Sequence, residues 1–246
     1  MKIKDAVVLV TGSNRGLGLA LARASLAAGA RRVYAAARDP KSLANLLREG
    51  EGKVTPLALD VSDEQSLAHA ARQAPDVTLL INNAGVLASY GVLSSTPAQI
   101  AQDFAVNCFA LLDACKAFLP ALERAGAGGG AAIVNVLSVV SLASIPGLGG
   151  YSASKAAAYS FTQALRGDLA KKQIRVHAAF PGAIDTDMVR AMDMPKSSPE
   201  SVAQGILAGL EQNQEDIFPD PMSRELLAIW RSDPKQLERQ LAQMSG

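Results

Sequence analysis

The chain has 246 residues, 49% of them apolar, which is enough for one large α/β domain or two small ones. Its 24 basic and 23 acidic residues nearly cancel, and this balance argues against a dedicated nucleic-acid or anionic-membrane surface. The first apolar run is short and ends at a glycine turn. We therefore expect no signal peptide and no membrane span, but a soluble cytoplasmic protein.

Six apolar runs, several rich in Val and Ile on both faces, are typical of buried parallel strands. In chain order they are residues 6–10, 32–37, 54–59, 77–82, 131–137 and 174–180. Helical segments separate them, at 16–29, 40–49, 63–73, 97–123 and 150–172. This alternation predicts an α/β fold, a doubly wound parallel β-sheet flanked by helices in three α/β/α layers.

The regular alternation stops after the sixth strand. The segment "DMPKSSPE" at 193–200 is interpreted as a mobile loop rather than a domain boundary, so the prediction is a single domain over 1–246. Within it, residues 186–212 are predicted to form a lid or loop region over the substrate. Residues 213–246 are predicted to be a C-terminal extension with a short apolar element at 216–219 and two helices.

Neither the cysteines nor the histidines form a metal-binding pattern. Cys108 and Cys115 are seven residues apart in a helical segment, roughly 10 Å along the axis, which is too far for a disulfide. Two small buried apolar residues are the simpler interpretation. His69 and His177 stand alone, and we predict no metal site.

The stretch "VLVTGSNRGLGLALA" (8–22) predicts a strand, a glycine turn and a helix. Its glycines are Gly12, Gly16 and Gly18. Glycines permit a tight turn and let backbone N–H groups approach a pyrophosphate, while the positive end of the following helix faces the anion. The turn lies in the first strand-to-helix connection, which is the context expected of a dinucleotide site.

The end of the second strand favours NADP(H) over NAD(H). An acidic residue about 20 positions after the glycine turn holds the ribose 2′-hydroxyl of NAD, whereas an arginine accepts the 2′-phosphate of NADP. Arg38 is 20 positions after Gly18, and Arg15 lies inside the glycine turn. Two guanidiniums suit a phosphate. The alternative is that Arg38 and Asp39 form a solvated surface pair.

With these motifs in view, the chain resembles the short-chain dehydrogenase/reductase family over about residues 5–190. The matching segments are Thr11-Gly12-Ser13-Asn14-Arg15-Gly16-Leu17-Gly18, Asp60-Val61, Asn82-Asn83-Ala84-Gly85, Asn107, Ser138, Tyr151-x-x-x-Lys155 and Pro181-Gly182, followed by Ile184 and Thr186. One departure is local: Leu137 stands where many relatives have a second serine. The resemblance implies a Rossmann-type sheet and a nicotinamide cofactor.

The resemblance also implies catalytic roles. Tyr151 would be the general acid in carbonyl reduction, with Lys155 one helical turn away lowering the pKa of the phenol and bonding the nicotinamide ribose. Ser138 would hold the substrate oxygen, as one donor of an oxyanion hole does. Asn107 would hold a water that joins Lys155 to solvent.

The remaining matched residues are expected to contact the cofactor. They are Gly12, Ser13, Asn14, Arg15, Gly16, Leu17, Gly18, Arg38, Asp60, Val61, Asn83, Ala84, Gly85, Tyr151, Lys155, Pro181, Gly182, Ile184 and Thr186. Asp60 would lie near the adenine, and Thr186 near the carboxamide. For Asp60 and Asn83 a second interpretation stays open, because each could simply cap the next element.

An apolar substrate pocket is predicted from the residues between Ser138 and Tyr151 and from the lid. These are Val139, Val140, Leu142, Ile145, Met188 and Met192. Methionines adapt to varied apolar groups, so the prediction favours bulky ketones or aldehydes over sugars or carboxylates.

Together these features predict an NADPH-dependent carbonyl reductase of small-molecule substrates, reversible as an alcohol dehydrogenase. A 3-oxoacyl-carrier-protein reductase is an alternative; it would need a basic docking patch, for which Arg190 and Lys196 are the candidates. A non-catalytic NADP(H)-sensing protein is another, although the Ser, Tyr and Lys positions are all filled. By resemblance, a homodimer or homotetramer is expected through the helices at 97–123 and 150–172.

Overall fold

The computed structural model of the protein describes residues 1–190 and 193–243. The fold is built on one parallel sheet. Its strands are β1 (Val7–Thr11), β2 (Arg32–Ala37), β3 (Val54–Ala58), β4 (Leu79–Asn82), β5 (Ala131–Val136), β6 (Ile174–Ala179) and β7 (Asp216–Ile217). Their order across the sheet is β3-β2-β1-β4-β5-β6-β7, and every neighbouring pair is parallel. The six predicted strands are confirmed to within two residues at either end.

Helices connect and follow the strands. They are α1 (Gly16–Ala27), α2 (Ala44–Glu49), α3 (Glu64–Gln73), α4 (Pro97–Phe104), α5 (Ala110–Ala127), α6 (Gly149–Ala170), α7 (Pro199–Glu211), α8 (Pro221–Ser232) and α9 (Pro234–Gln243). The predicted helix at 97–123 is in fact two helices joined by a π-helical turn, Ala105–Phe109. A capping box formed by Thr96 and Gln99 starts α4.

The sheet is covered on both faces, which confirms the three-layer prediction. Alternate residues of β1 point to opposite sides, so that Val7 and Leu9 lie in one core and Val8 and Val10 in the other. The first core is closed by α3, α5 and α6 together with α8 and α9, the second by α1, α2 and α7. Because successive residues of a strand face two different buried cores, all of them can be apolar.

The structure corrects the prediction of a lid or loop over 186–212. Residues 199–211 form helix α7, which begins at the Ser198 cap. Its residues Val202, Ala203, Ile206 and Leu210 have no exposed surface and pack into the same core as α1. The sequence analysis missed this helix because Pro and Ser at its start were interpreted as loop residues. They are a helix cap and a first-turn proline.

One stretch has the length and composition of a membrane span. Pro97–Ala127, which includes α4 and α5, has a mean hydropathy of 1.5 in its most apolar window, and half of that window is buried inside the protein. Burial of this kind is expected of a core helix, since an apolar face must pack on something. Cys108 and Cys115 lie in this stretch as free, buried thiols.

Candidate active site

The site lies where the carboxyl ends of β1 and β4 diverge, at the reversal of strand order. In an open parallel sheet this crevice is where ligands bind. Thr11, the last residue of β1, holds the two sides together: its hydroxyl accepts from the backbone N–H groups of Asn83 at 2.9 Å and of Ala84 at 3.0 Å. The glycine turn and the segment after β4 therefore form one rigid edge.

The glycine turn adopts backbone geometry that requires glycine. Gly12 and Gly16 have φ of +69° and +53°, the left-handed region that other residues rarely adopt. At Gly18 a Cβ would overlap the Gly12 carbonyl oxygen and lie 2.6 Å from Asn83 Nδ2. The turn is thus packed directly against the start of α1, a cradle that a side chain would fill.

The start of α1 suits an anion. Arg15, the residue before the helix, makes no side-chain cap, and the first turn contains no acidic residue. Helix N-terminal N–H groups without such partners are available to a phosphate. The Arg15 guanidinium instead pairs with Asp187 at 3.1 Å, across the mouth of the crevice.

Arg38 is exposed and directly follows β2. The next residue, Asp39, is turned toward the chain ahead of it: its carboxylate accepts from the backbone N–H of Lys41 at 3.0 Å and caps the short turn Pro40–Leu43. Hence the exposed side chain directly after β2 is a cation, while the next carboxylate is bonded within the turn that follows. The solvated Arg38–Asp39 pair of the alternative interpretation is not observed among the described contacts.

Neither Asp60 nor Asn83 caps the next helix, because α3 begins at the Asp63 cap and α4 at the Thr96 cap. The Asp60 carboxylate accepts from the Ser62 backbone and hydroxyl, and these bonds, with the nearby charge of Arg38, hold its pKa below the usual value. The Asn83 amide donates to the Thr11 carbonyl at 2.9 Å. Val61, Ala84 and Gly85 are partly buried beside them. Cofactor contact by any of these residues stays a prediction.

Ser138, Tyr151 and Lys155 converge above the end of β5. Ser138 follows that strand, and its hydroxyl lies close enough to the Tyr151 phenol to lower the pKa of that phenol. Tyr151 is in the first turn of α6, and the Lys155 amine lies 5.8 Å from the centre of its ring. That amine is buried and donates to the Val136 carbonyl at 2.9 Å. The sequence spacing alone predicted this juxtaposition.

The electrostatics of the pair differ from the expectation. Burial, followed by the charge of Asp103, raises the pKa of Tyr151 to about 12 against a smaller lowering by Ser138. Burial also lowers the pKa of Lys155 to about 8. In the chain without cofactor the pKa of the phenol is thus raised, because desolvation is the largest influence on it. A lowering by the ammonium together with the positive nicotinamide ring stays a prediction.

Asn107 lies in the π-helical turn and its side chain is fully engaged. Its Oδ1 accepts from the Val86 N–H at 2.9 Å, and its Nδ2 donates to the Val86 carbonyl at 2.9 Å and to Ser154 Oγ at 3.1 Å. A Cβ at Gly85 would come 3.1 Å from Asn107 Oδ1 and 3.6 Å from Lys155 Nζ. The Asn107 side chain therefore fixes the segment after β4, and the water that it was expected to hold stays a prediction.

The Pro181-Gly182 turn closes the opposite side. The Gly182 N–H donates to Asp220 at 2.9 Å, and a Cβ there would lie 2.9 Å from Met222 Sδ. Further on, Ile184 pairs with Ser197 in an isolated parallel bridge. Thr186 reaches the glycine turn, where a Cβ on Gly16 would be 3.1 Å from its methyl group.

The predicted pocket residues fall into three groups. Val139 and Val140 are buried in the core beneath Ser138, which leaves them little surface for a ligand. Leu142 and Ile145 are partly buried, and Met188 is 43% exposed. Met192 lies outside the described residues. The apolar wall that the structure offers is therefore smaller than predicted, and its exposed part continues into Val92 and Leu93, which the sequence analysis did not name.

Two side chains that shape the site were also missed, Asp103 and Asp220, and Thr11 was named only as part of the glycine motif. Asp103 is fully buried and is an acid on an otherwise apolar turn four residues before Asn107, a signal that could have placed it on the same face. Asp220 precedes a proline and has Ser223 three residues later, a capping-box pattern. In the part of the chain that the structure describes, no group of three or more His, Cys, Asp or Glu could hold a metal.

A parallel sheet in this strand order, with a glycine turn at its reversal point, defines the Rossmann class of α/β proteins. Within that class the chain belongs to the short-chain dehydrogenase family, whose sequence model matches residues 6–196.

Two relatives and two solved structures illustrate the similarity. The 2-(R)-hydroxypropyl-CoM dehydrogenase of Xanthobacter autotrophicus is 35% identical over 80% of this chain and 82% of its own length. The cyclopentanol dehydrogenase of Comamonas testosteroni is 31% identical over 87% of each chain. A Burkholderia cenocepacia short chain dehydrogenase in complex with NADP superposes with a TM-score of 0.91, at 36% identity over 98% of this chain and 99% of that one. A Burkholderia phymatum family member in complex with NAD gives 0.83 at 24% identity over 96% of each, which shows the fold alone.

Proposed function

We propose that the protein is an NADPH-dependent carbonyl reductase that interconverts a ketone or aldehyde and its alcohol. The observation that carries the proposal is the convergence of the Ser138 hydroxyl, the Tyr151 phenol and the Lys155 amine beside the glycine-lined crevice. A hydroxyl and a phenol that lie this close together can both bond one carbonyl oxygen. When bound, the cofactor supplies the hydride.

Tyr151 gives its proton to the developing alkoxide. Its pKa of about 12 keeps the phenol protonated at neutral pH, which is the form that reduction needs. Ser138 holds the same oxygen and stabilises the growing negative charge. In the oxidation direction Tyr151 must first lose its proton, so a cation near it has to lower the pKa from the value in the chain alone.

Lys155 is the residue placed to supply that charge. One of its N–H groups is used by the Val136 carbonyl, which fixes the amine beneath the tyrosine ring and leaves two donors for ribose hydroxyls. With a pKa lowered to about 8, the amine is half deprotonated near pH 8. A bound anion or a phenolate would raise that pKa again.

The preference for NADPH rests on Arg38. It stands at the end of β2, whereas the acid that could hold a ribose hydroxyl, Asp39, is committed to the Lys41 N–H. A guanidinium there attracts a 2′-phosphate. Arg15 is close enough to the crevice to join it after leaving Asp187. The NADP complex of the Burkholderia cenocepacia relative supports this choice.

The substrate class is proposed from the mouth of the site. The side chains that reach solvent there are mainly apolar: Tyr90, Val92, Leu93 and Met188. Two relatives carry names that specify alcohols, a hydroxypropyl group in one and cyclopentanol in the other. A secondary alcohol or its ketone, with an apolar body, fits both observations.

Two other proposals fit less well. Carrier-protein docking would need an open basic patch, but Arg190 is already paired with Asp187. A sensor without turnover would have no use for three converging catalytic side chains. The proposed homodimer or homotetramer is supported by Phe109 and Phe161, which are 51% and 39% exposed in the two long helical segments.

The test of the proposal is Tyr151→Phe. The variant keeps the ring and its packing but removes the proton, so kcat for ketone reduction should fall about 10²- to 10⁴-fold. NADPH affinity, measured by fluorescence titration, should stay within about twofold because the hydroxyl is not a phosphate ligand.

Activity is measured as the loss of NADPH absorbance with each member of a panel of aromatic, aliphatic and acyl-thioester ketones. Wild-type kcat in a folded Tyr151→Phe protein would refute the proposal. Turnover confined to acyl thioesters would favour the carrier-protein alternative, and tight NADPH binding with no turnover of any substrate would favour the sensor.

A further inference from the structure

Asp103 is a buried carboxylate that the proposed chemistry does not yet use. It lies in the last turn of α4 with no exposed surface. It accepts hydrogen bonds from the backbone N–H of Ala88 at 2.8 Å, from the backbone N–H of Ser89 at 3.1 Å, and from the Ser89 hydroxyl. Three donors directed at one carboxylate match its ionised form, which is acceptor-only.

These bonds hold a short segment, residues 86–90, that we call the strap. Asn107 binds its first residue, Val86, through two hydrogen bonds, and Asp103 binds its middle. At the other end the Tyr90 carbonyl accepts from the Gly149 N–H at 3.1 Å, the first residue of α6. The strap is therefore pinned at three points, two of them on the same helical stretch.

The strap in turn fixes the start of α6. A Cβ on Gly150 would overlap Ser89 Oγ, and one on Gly149 would overlap the Val92 side chain. Ser89 is fully buried in this contact. Because Tyr151 is the next residue, the position of the phenol depends on how closely the strap and the helix pack.

The charge of Asp103 also reaches the reacting pair. It raises the pKa of Tyr151 and that of Lys155. The other groups that act on the two are Ser138, which lowers the pKa of the phenol, and the Cys108 thiol, which raises that of the amine. Asp103 is the only carboxylate among these groups in the described part of the chain.

We propose that Asp103 is a positioning residue for the proposed reaction: it anchors the strap against the start of α6 and sets the pH range in which Tyr151 works. The inference rests on the proposed function. It assigns a role to a side chain that touches neither substrate nor cofactor. That role has two parts: the hydrogen bonds that anchor the strap, and the negative charge near Tyr151 and Lys155.

Two variants separate the parts. Asp103→Asn keeps the shape but removes the charge and turns an amide toward donors, so kcat should fall about tenfold or more. Without the negative charge both pKa values drop. Alcohol oxidation needs the phenolate, so its kcat falls on the acid side of the pH profile. This acid limb of the profile should then move to lower pH by about half a unit or more. Ser89→Ala removes one anchoring bond and leaves the charge, so kcat should fall a few-fold with the limb unmoved.

Wild-type kcat and an unmoved limb in Asp103→Asn would overturn the proposal, as would an equal shift of the limb in Ser89→Ala. If Asp103→Asn does not fold, Asp103→Glu serves in its place: the charge remains but the strap is displaced. It should show a lower kcat with the wild-type limb, and wild-type kcat there would be the contrary result.

Amide hydrogen exchange keeps the inference testable apart from activity. If the wild-type protein turns over no substrate, the proposed function has failed, but the strap can still be measured. Exchange at residues 86–90 should be at least about tenfold faster in Asp103→Asn than in the wild type. Equal exchange rates would show that Asp103 does not anchor the strap.

Discussion

The two sides of the crevice are built by opposite means. On the proposed cofactor side, close packing depends on missing side chains: a Cβ on Gly18 would overlap the Gly12 carbonyl, and Gly12 and Gly16 have a positive φ that other residues rarely adopt. On the other side it depends on side chains that are present, since two buried carboxylates, Asp103 and Asp220, each hold a loop by its N–H groups. A missing side chain is visible in a sequence motif, whereas a carboxylate on a helix looks like any other until its partner is known.

The largest effect we expect is on the cofactor side. Gly18→Ala would drive a Cβ into the Gly12 carbonyl and the Asn83 amide. Backbone cannot move aside as a side chain does, so NADPH affinity should fall at least about 100-fold, with a loss of unfolding free energy of about 3 kcal/mol. Titration with NADPH measures the affinity, and urea unfolding measures the unfolding free energy.

Gly167→Ala is the matched control for that substitution. It lies in α6, where a Cβ meets nothing within 4 Å, so the protein should be stabilised slightly by helix propensity. Similar losses in both variants would mean that the glycine turn is not specially constrained.

Arg38→Asp should come next. Replacing the cation with an anion should weaken NADPH binding about 100-fold, because a charge-assisted bond is lost and a repulsion is added. NADH binding should change by less than about threefold. Arg72→Asp, an exposed position on α3 with the same change in charge, should leave both affinities intact. Equal weakening of the two cofactors by Arg38→Asp would contradict the NADPH preference.

On the opposite side of the crevice, Asp220→Asn tests the second carboxylate. It weakens the cap of α8 and the bond to the Gly182 N–H, so the unfolding free energy should fall by about 1–2 kcal/mol. The KM for cofactor should rise as well. Asp233→Asn removes a comparable local bond, to the Lys235 N–H. It should destabilise the protein without changing KM, and a normal KM in Asp220→Asn would show that the Gly182 turn needs no such anchor.

The smallest effect concerns the contact that joins the two sides. Asp187→Asn removes an exposed ion pair with Arg15, which is worth at most about 1 kcal/mol. Freed from Asp187, Arg15 can approach a phosphate, so NADPH affinity should rise about two- to threefold in low salt and be unchanged in high salt. Weaker NADPH binding in this variant would assign Asp187 itself to the cofactor.

Most of the fold could be read from local patterns. Val-rich runs such as 6–10 and 131–137 predict buried strands because parallel strands covered on both faces are apolar on both faces. The same reasoning failed for α7, where Ser198 and Pro199 were interpreted as a loop. It also failed for the two-part helix at 97–127, because an extra residue in a helical turn leaves no mark in hydrophobic spacing.

The site was predictable to the extent that its chemistry is local in sequence. Tyr151 and Lys155 are one helical turn apart, so their approach follows from the helix itself. The pKa of Tyr151 was not predictable, since it depends on burial and on Asp103 from another helix. Nor was the cap made by Asp39, whose bond to Lys41 leaves Arg38 alone at the strand end.

The wide turn at Ala105–Phe109 has a consequence for how this chain can tolerate length changes. The turn holds one residue more than an α-helical turn, so removing one residue there restores regular α-helical winding and keeps the residues after it close to their present phase. Leu111, Cys115 and Phe118 would stay buried. A single-codon deletion in this turn should therefore be far less damaging than one in the middle of α5, which would turn the residues after it by about 100°.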